Sequence, residues 1–193
     1  MYEEVGRRND AGVVVEVLGL AGRDRTQVVF RELVYGADDG LITTFAVVAG
    51  VSGGQLSAHA LLIVGAANLF ADGLSMGVGN YLSIRSHEGA PAAENLPEEE
   101  ASPARHGLAT WLAFMSAGAV PLLPFIIGGA GALALRLSIA LTFATLFGIG
   151  AARAMITTDR WWRAGLEMLG LGVVVAFAAY ASGAAIAAVL GAP

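Results

Sequence analysis

The chain has 193 residues, of which 56% are apolar and only 14% are charged, and its formal net charge is −5. Soluble domains carry about 25% charged residues, so this composition excludes an ordinary soluble protein and predicts an integral membrane protein. Cysteine and lysine are both absent, which excludes disulfides, thiolate metal ligands and lysine-containing phosphate loops. We expect neither an enzyme nor a bound cofactor, and the arginines follow membrane topology rather than nucleic-acid binding.

Hydropathy along the chain predicts an all-α, polytopic fold. Residues 1–26 are polar and lack the apolar run of a signal peptide, so we expect a cytosolic N-terminal segment. A transmembrane domain over 27–193 follows, with five helices predicted at 27–51, 56–84, 107–127, 132–156 and 163–190. A short acidic cytosolic loop, 85–106, separates the second helix from the third.

The arginines predict the orientation of these helices. If the N-terminus is cytosolic, ten of the eleven basic residues fall on the inner side, and Arg136 alone falls on the outer side. Five spans then place the C-terminus outside. The absence of lysine and the abundance of Ala and Gly indicate a GC-rich bacterial genome, so we expect a multi-pass protein of a bacterial inner membrane.

Two adjacent carboxylates lie within the first predicted helix. The apolar run Leu41–Val51 has 11 residues, whereas a transmembrane helix needs about 20, so Asp38 and Asp39 are drawn into the membrane. Helical rise places Asp39 roughly 18 Å from the outer end of the helix. A charge at that depth normally faces a bundle interior or an ion pathway.

The second predicted helix carries Asn68, Asp72 and Met76 at spacings of four, which makes one polar stripe. Asp72 lies roughly 21 Å from the outer end, close to the depth of Asp39, and a short Gly-Gly turn makes the two helices antiparallel neighbours. Two carboxylates, an amide oxygen and a thioether favour a transition metal ion over Mg²⁺ or Ca²⁺. The alternatives are core packing for Met76 and an internal ion pair for the carboxylates.

Other charged residues are candidates for a cytosolic entrance to this site. Glu32 is seven residues before Asp39 and shares its helix face, where it either passes a cation inward or is a solvated interfacial charge. The remaining candidates are Asp38 and, in the acidic loop, Glu98, Glu99, Glu100 and His106. The loop is either a solvated linker or a patch that collects cations. The spacing of four residues between Arg163 and Glu167 predicts an ion pair between them within the fifth helix.

Several glycines and prolines lie within the predicted helices. The spacings Gly36/Gly40 and Gly73/Gly77 allow helix backbones to approach closely. They predict either general close packing or direct packing of the first helix on the second. Pro121 and Pro124 interrupt the third helix, as a hinge or as a packing kink.

Two longer motifs resemble those of the vacuolar iron transporter family. YGADDGLITTFAVVAG at 35–50 is similar to the first-helix motif of that family, and ANLFADGLSMGVGNYLS at 67–83 is similar to its second-helix motif. PLLP at 121–124 and GLEML at 165–169 also resemble family patterns. The best-described members insert a Glu-rich metal-binding domain where this chain has only the segment 85–105, so the chain looks like the shorter members.

The resemblance implies a homodimer of five-helix protomers whose first helices line a path for divalent metal ions and protons across the lipid bilayer. It implies export of Fe²⁺ or Mn²⁺ from the cytosol, coupled to proton influx. The metal ligands of the family match Asp39 and Met76, while Asn68 and Asp72 match a subgroup with Asn and Asp in the second helix. The alternatives are an uncoupled channel or leak, and a membrane scaffold that has lost transport.

Overall fold

The computed structural model of this chain describes residues 30–93, 102–129, 131–155, 157 and 159–191, and every regular element within them is a helix. The helices are α1 (Phe30–Gly53), α2 (Ala58–Ala93), α3 (Pro103–Ala119), α4 (Leu123–Gly128), α5 (Ala132–Arg153) and α6 (Trp161–Leu190). The all-helical prediction is therefore confirmed for this part of the chain. The predicted N-terminal segment 1–26 lies outside it.

Four helices are long and apolar enough to cross a bilayer, namely α1, α2 over Ala58–Ser86, α5 and α6. The most apolar window of α6 buries none of its residues inside the protein. Apolar side chains that face outward in this way are solvated by lipid rather than by water, as in membrane helices generally. The chain is thus a polytopic helical membrane protein.

The third predicted span, 107–127, is divided into two helices. α3 has 17 residues and ends at Ala119, and α4 has six residues. The break follows from Pro121, which has no backbone N–H to continue the helical hydrogen bonds of α3. Pro124 lies in the first turn of α4, where proline is tolerated. At about 1.5 Å per residue, α3 alone is roughly 26 Å long, slightly less than a hydrocarbon core.

The other helices differ from the predicted spans mainly at their ends. α2 continues to Ala93, although hydropathy predicts its end at 84, and α3 begins at Pro103 rather than at 107. Hydropathy marks the part of a helix that lies in hydrocarbon, whereas the backbone hydrogen bonds of the helix continue into the polar phase.

α3 packs against both α1 and α2 through their glycines. A Cβ atom on Gly40 of α1 would collide with the carbonyl oxygen of Phe114 on α3. On α2, a Cβ atom on Gly73 would lie 3.1 Å from the Phe114 ring, and one on Gly77 would lie 2.9 Å from the carbonyl oxygen of Gly107. Both glycine pairs therefore face α3, which confirms general close packing within the bundle, whereas the alternative that they pack α1 directly on α2 is wrong.

The remaining helices complete the bundle around two apolar clusters. The larger cluster includes Phe45 of α1, Leu69 of α2 and Phe114 of α3, all buried. α5 and α6 pack closely where Gly150 meets Ala164. α1 also reaches α6 at its C-terminal end, where glycines again allow backbone contact: Gly50 with Gly183, and Gly53 with Tyr180. α1 is thus held between α3 on one side and α5 with α6 on another.

Candidate metal site

Asp39 on α1 and Asp72 on α2 form the centre of the candidate site. Both side chains are half-buried, and their carboxylates lie close enough to repel each other. The Thr43 hydroxyl donates a 2.7 Å hydrogen bond to the backbone carbonyl of Asp39 and so does not occupy its carboxylate. The structure therefore brings together the two carboxylates that the sequence places at similar depth.

Asn68 and Asp72 act as one hydrogen-bonded unit on α2. Nδ2 of Asn68 donates to Oδ2 of Asp72 over 2.8 Å. This bond holds the carboxylate and uses the amide nitrogen, so the amide oxygen of Asn68 is the atom that can turn to a cation. Carboxylate and amide oxygens together suit a divalent cation such as Mn²⁺.

Met76 lies one helical turn beyond Asp72 on the same stripe of α2. Its side chain is partly buried and packs against the larger apolar cluster. Within the described ranges, no three His, Asp or Glu side chains lie close enough together to hold a metal ion. A full ligand shell around Asp39 and Asp72 therefore needs Asn68, Met76, water or groups from a second protomer.

Asp38 belongs to a different side of α1. Adjacent positions of an α-helix point about 100° apart. Oδ1 of Asp38 is buried and has no hydrogen-bond partner among the described residues. Besides its burial, the charge of Asp39 and the opposing charge of Arg153 on α5 act on this carboxylate. Asp38 and Asp39 thus lie on different faces of α1.

Glu32 and His106, two of the candidates for a cytosolic entrance, are in direct contact. Nδ1 of His106 lies 2.6 Å from Oε2 of Glu32, and each side chain is only 16% exposed. The pair joins the start of α1 to the start of α3. The other predicted entrance residues in the loop, Glu98, Glu99 and Glu100, lie outside the described residues.

The predicted ion pair between Arg163 and Glu167 is wrong. Glu167 instead accepts a 2.6 Å hydrogen bond from Nη2 of Arg153, the last residue of α5. The Arg163 guanidinium lies 5.2 Å from the ring centroid of Trp162. Because α5 and α6 are antiparallel neighbours joined by a short connection, the end of one helix lies beside the first turns of the other, which favours this pair between helices.

Two residues of this region received no role in the sequence analysis. Thr110 of α3 is buried, accepts a 2.8 Å hydrogen bond from Nδ2 of Asn80 and donates one to the carbonyl of His106. Arg153 links α5 to α6, and its charge acts on Asp38 in opposition to that of Asp39. A lone threonine in an apolar helix gives a weak signal, and the position of Arg153 becomes informative only when the helices are assembled.

The chain is similar to proteins of one known family. The sequence model described as the VIT family matches residues 30–96 and 89–184. Vacuolar iron transporter 1 of Eucalyptus grandis is 25% identical over 79% of this chain and 84% of its own length. Vacuolar iron transporter homolog 5 of Oryza sativa subsp. japonica is 35% identical over 62% of this chain and 60% of its own length.

Other relatives match a smaller share of the chain. The vacuolar iron transporter of Toxoplasma gondii is 42% identical over 79 residues, which are 36% of this chain and 26% of that protein. This chain thus spans about a quarter of the length of the Toxoplasma gondii protein. The names of these relatives refer to the activities of those proteins and not to that of this chain.

Proposed function

Because the chain belongs to the VIT family, we propose that it exports a divalent transition metal ion, Fe²⁺ or Mn²⁺, from the cytosol in exchange for protons. The observation that carries this proposal is the approach of Asp39 on α1 to Asp72 on α2, inside apolar helices. Two carboxylates in a membrane are costly unless a cation or a proton is shared between them. A transported metal ion and a proton compete for these oxygens, so release of one accompanies binding of the other.

The proposed path runs along α1 and α2. Asp39, Asp72, Asn68 and Met76 would bind the metal ion, and Glu32 would receive it at the cytosolic end. A second protomer would complete the site, since one copy provides no cluster of three acidic or histidine side chains within its described residues. α3 and α4 would together form the third of five spans. With the N-terminus in the cytosol, as the arginines predict, the C-terminus would then lie outside.

The experiment is metal uptake by proteoliposomes under an imposed pH gradient. Purified protein would be reconstituted, and uptake of Fe²⁺ and of Mn²⁺ compared for the wild type, Asp39→Asn and Asp72→Asn. Asp159→Asn is the matched control, because Asp159 is exposed and lies in the connection between α5 and α6. We expect gradient-dependent uptake that both site variants abolish and the control retains.

The same experiment distinguishes the alternatives. Uptake that does not depend on the pH gradient would identify an uncoupled channel or leak and contradict antiport. No uptake of either metal by folded wild-type protein would contradict transport altogether and favour a membrane scaffold. The ratio of the Fe²⁺ and Mn²⁺ rates identifies the preferred substrate.

A further inference from the structure

Two buried polar atoms on neighbouring helices have no partner among the described residues. They are Oδ1 of Asp38 on α1 and Nε of Arg153 on α5. Buried polar atoms are nearly always hydrogen-bonded, and a charge buried among membrane helices is normally paired. Asp38 and Arg153 carry opposite charges, so each is a suitable ion-pair partner for the other.

The packing of α1 and α5 places these two residues at the same end of the bundle. Leu41 of α1 and Leu146 of α5 are fully buried in one apolar cluster. Asp38 is three residues before Leu41 and Arg153 is seven residues after Leu146, so each shares the helix face of its leucine. α1 runs parallel to α6 and α5 runs antiparallel to it, so α1 and α5 are antiparallel. Asp38 lies toward the start of α1 and Arg153 at the end of α5, so both lie beyond the same end of this cluster.

The electrostatics distinguish Asp38 from its neighbour. Two charges act on Asp38, that of the adjacent Asp39 and the opposing charge of Arg153, whereas the charge that α2 presents to Asp39 is that of Asp72. The guanidinium group has five N–H donors, and Arg153 uses Nη2 for Glu167. Its Nε remains for a second carboxylate, so one arginine can hold Asp38 and Glu167 together.

We propose that Asp38 is the buried counter-ion of Arg153 and not a ligand of the transported cation. Arg153 then ties α1 to α5 and, through Glu167, to α6. This pairing fixes the rotation of α1 about its axis, and that rotation points Asp39 at Asp72. Asp38 and Arg153 are thus positioning residues for the metal site, and this part of the inference rests on the proposed transport function.

A double-mutant cycle on thermal stability tests the pair without any transport measurement. Arg153→Gln should lower the unfolding midpoint of the detergent-solubilised protein by about 5 °C or more, because it leaves the Asp38 carboxylate buried without a cation. Asp38→Asn should lower the midpoint by less, because Arg153 is 31% exposed and keeps its contact with Glu167. The double variant should be no less stable than the less stable single variant. Glu167→Gln is the control for the other contact of Arg153 and should have a smaller effect, since Glu167 is 59% exposed. Losses that simply add in the double variant would overturn the pairing.

Uptake kinetics test the positioning role, with Mn²⁺ as the probe. Asp38→Asn should reduce the maximal rate, while the double variant should keep an apparent KM within about threefold of the wild type. Arg153→Lys should restore part of the rate lost in Arg153→Gln. A stable double variant that loses uptake as completely as Asp39→Asn would make Asp38 a ligand and overturn the proposal. If the wild type moves no metal, the proposed function fails. The double-mutant cycle on thermal stability then decides alone whether Asp38 and Arg153 form a pair.

Discussion

Nδ1 of His106 lies 2.6 Å from Oε2 of Glu32, and this contact joins the first turn of α3 to the first turn of α1. The hydrogen bonds continue from the His106 carbonyl to Thr110, and from Thr110 to Asn80 on α2. One chain of polar contacts therefore connects three helices at the end that we assign to the cytosol. Glu32 and Asn80 lie two turns from Asp39 and Asp72 respectively, so this network borders the candidate site.

Removal of this contact should weaken the packing of α1 on α3. Glu32→Ala should lower the free energy of unfolding by about 1–3 kcal/mol, because the hydrogen bond is charge-assisted and little exposed. His106→Ala should cost a similar amount, and the two losses should not add. Thermal midpoints in detergent measure this, with exposed His59→Ala as the control. Additive losses would contradict a direct contact between Glu32 and His106.

Gly40→Ala should be strongly destabilising, because the added Cβ would collide with the backbone of Phe114 on α3. Overpacking of this kind costs about 1–3 kcal/mol or more when backbone atoms must move. Gly79→Ala is the same change on α2, at a glycine with nothing within 4 Å of the added atom. It should leave stability unchanged or raise it, since Ala is the better helix former. Equal thermal midpoints for the two variants would contradict the packing of α1 on α3.

The sequence predicts the helices well, and the partners of individual side chains less well. Composition and hydropathy identify an all-helical membrane protein, because in lipid the backbone must satisfy its own hydrogen bonds. Pro121 also predicts the break in the third span. The glycine spacings show that helices approach closely, but they do not name the partner: both pairs face α3, which comes later in the chain.

The same limit applies to the charged residues. Residue spacing places Asn68 and Asp72 on one face of a single helix, and the structure shows the hydrogen bond between them. Spacing within a helix favours Arg163 as the partner of Glu167, whereas the observed partner is Arg153 on another helix. Contacts between helices depend on how the helices are assembled, and local periodicity does not contain that information.

Ser138→Ala should destabilise the junction between α3 and α4. The buried Ser138 hydroxyl on α5 donates a 2.7 Å hydrogen bond to the carbonyl of Pro121, within the turn between those helices. Loss of the donor leaves a buried carbonyl unsatisfied, which costs about 1–3 kcal/mol. Ser182→Ala on α6 is the control, because Ser182 is exposed and bonds only within its own helix. A thermal midpoint for Ser138→Ala no lower than that of the control would contradict this role.

Asn68→Ala should weaken metal binding without unfolding the protein. It removes the hydrogen bond that holds the Asp72 carboxylate and also removes the amide oxygen. Loss of a group that orients a metal ligand typically costs about 10–100-fold in metal affinity or activity. The apparent KM for Mn²⁺ uptake by proteoliposomes measures it, and Ala67→Ser, at an exposed position on the same turn, is the control. An unchanged KM would place Asn68 outside the metal site.

Met76 has two possible roles, as a sulfur ligand of the metal ion or as a packing residue, because its side chain borders both the polar stripe and the larger apolar cluster. Met76→Leu nearly preserves volume, and such exchanges usually cost less than about 1.5 kcal/mol. If the thioether binds the metal, Met76→Leu should keep the wild-type thermal midpoint yet reduce Fe²⁺ and Mn²⁺ uptake as much as Met76→Ala does. Met115→Leu, at a partly buried methionine of α3 packed on the same cluster, is the matched control and should retain uptake. Full uptake by Met76→Leu, with loss only in Met76→Ala, would show that this methionine serves packing and that oxygen atoms alone hold the cation.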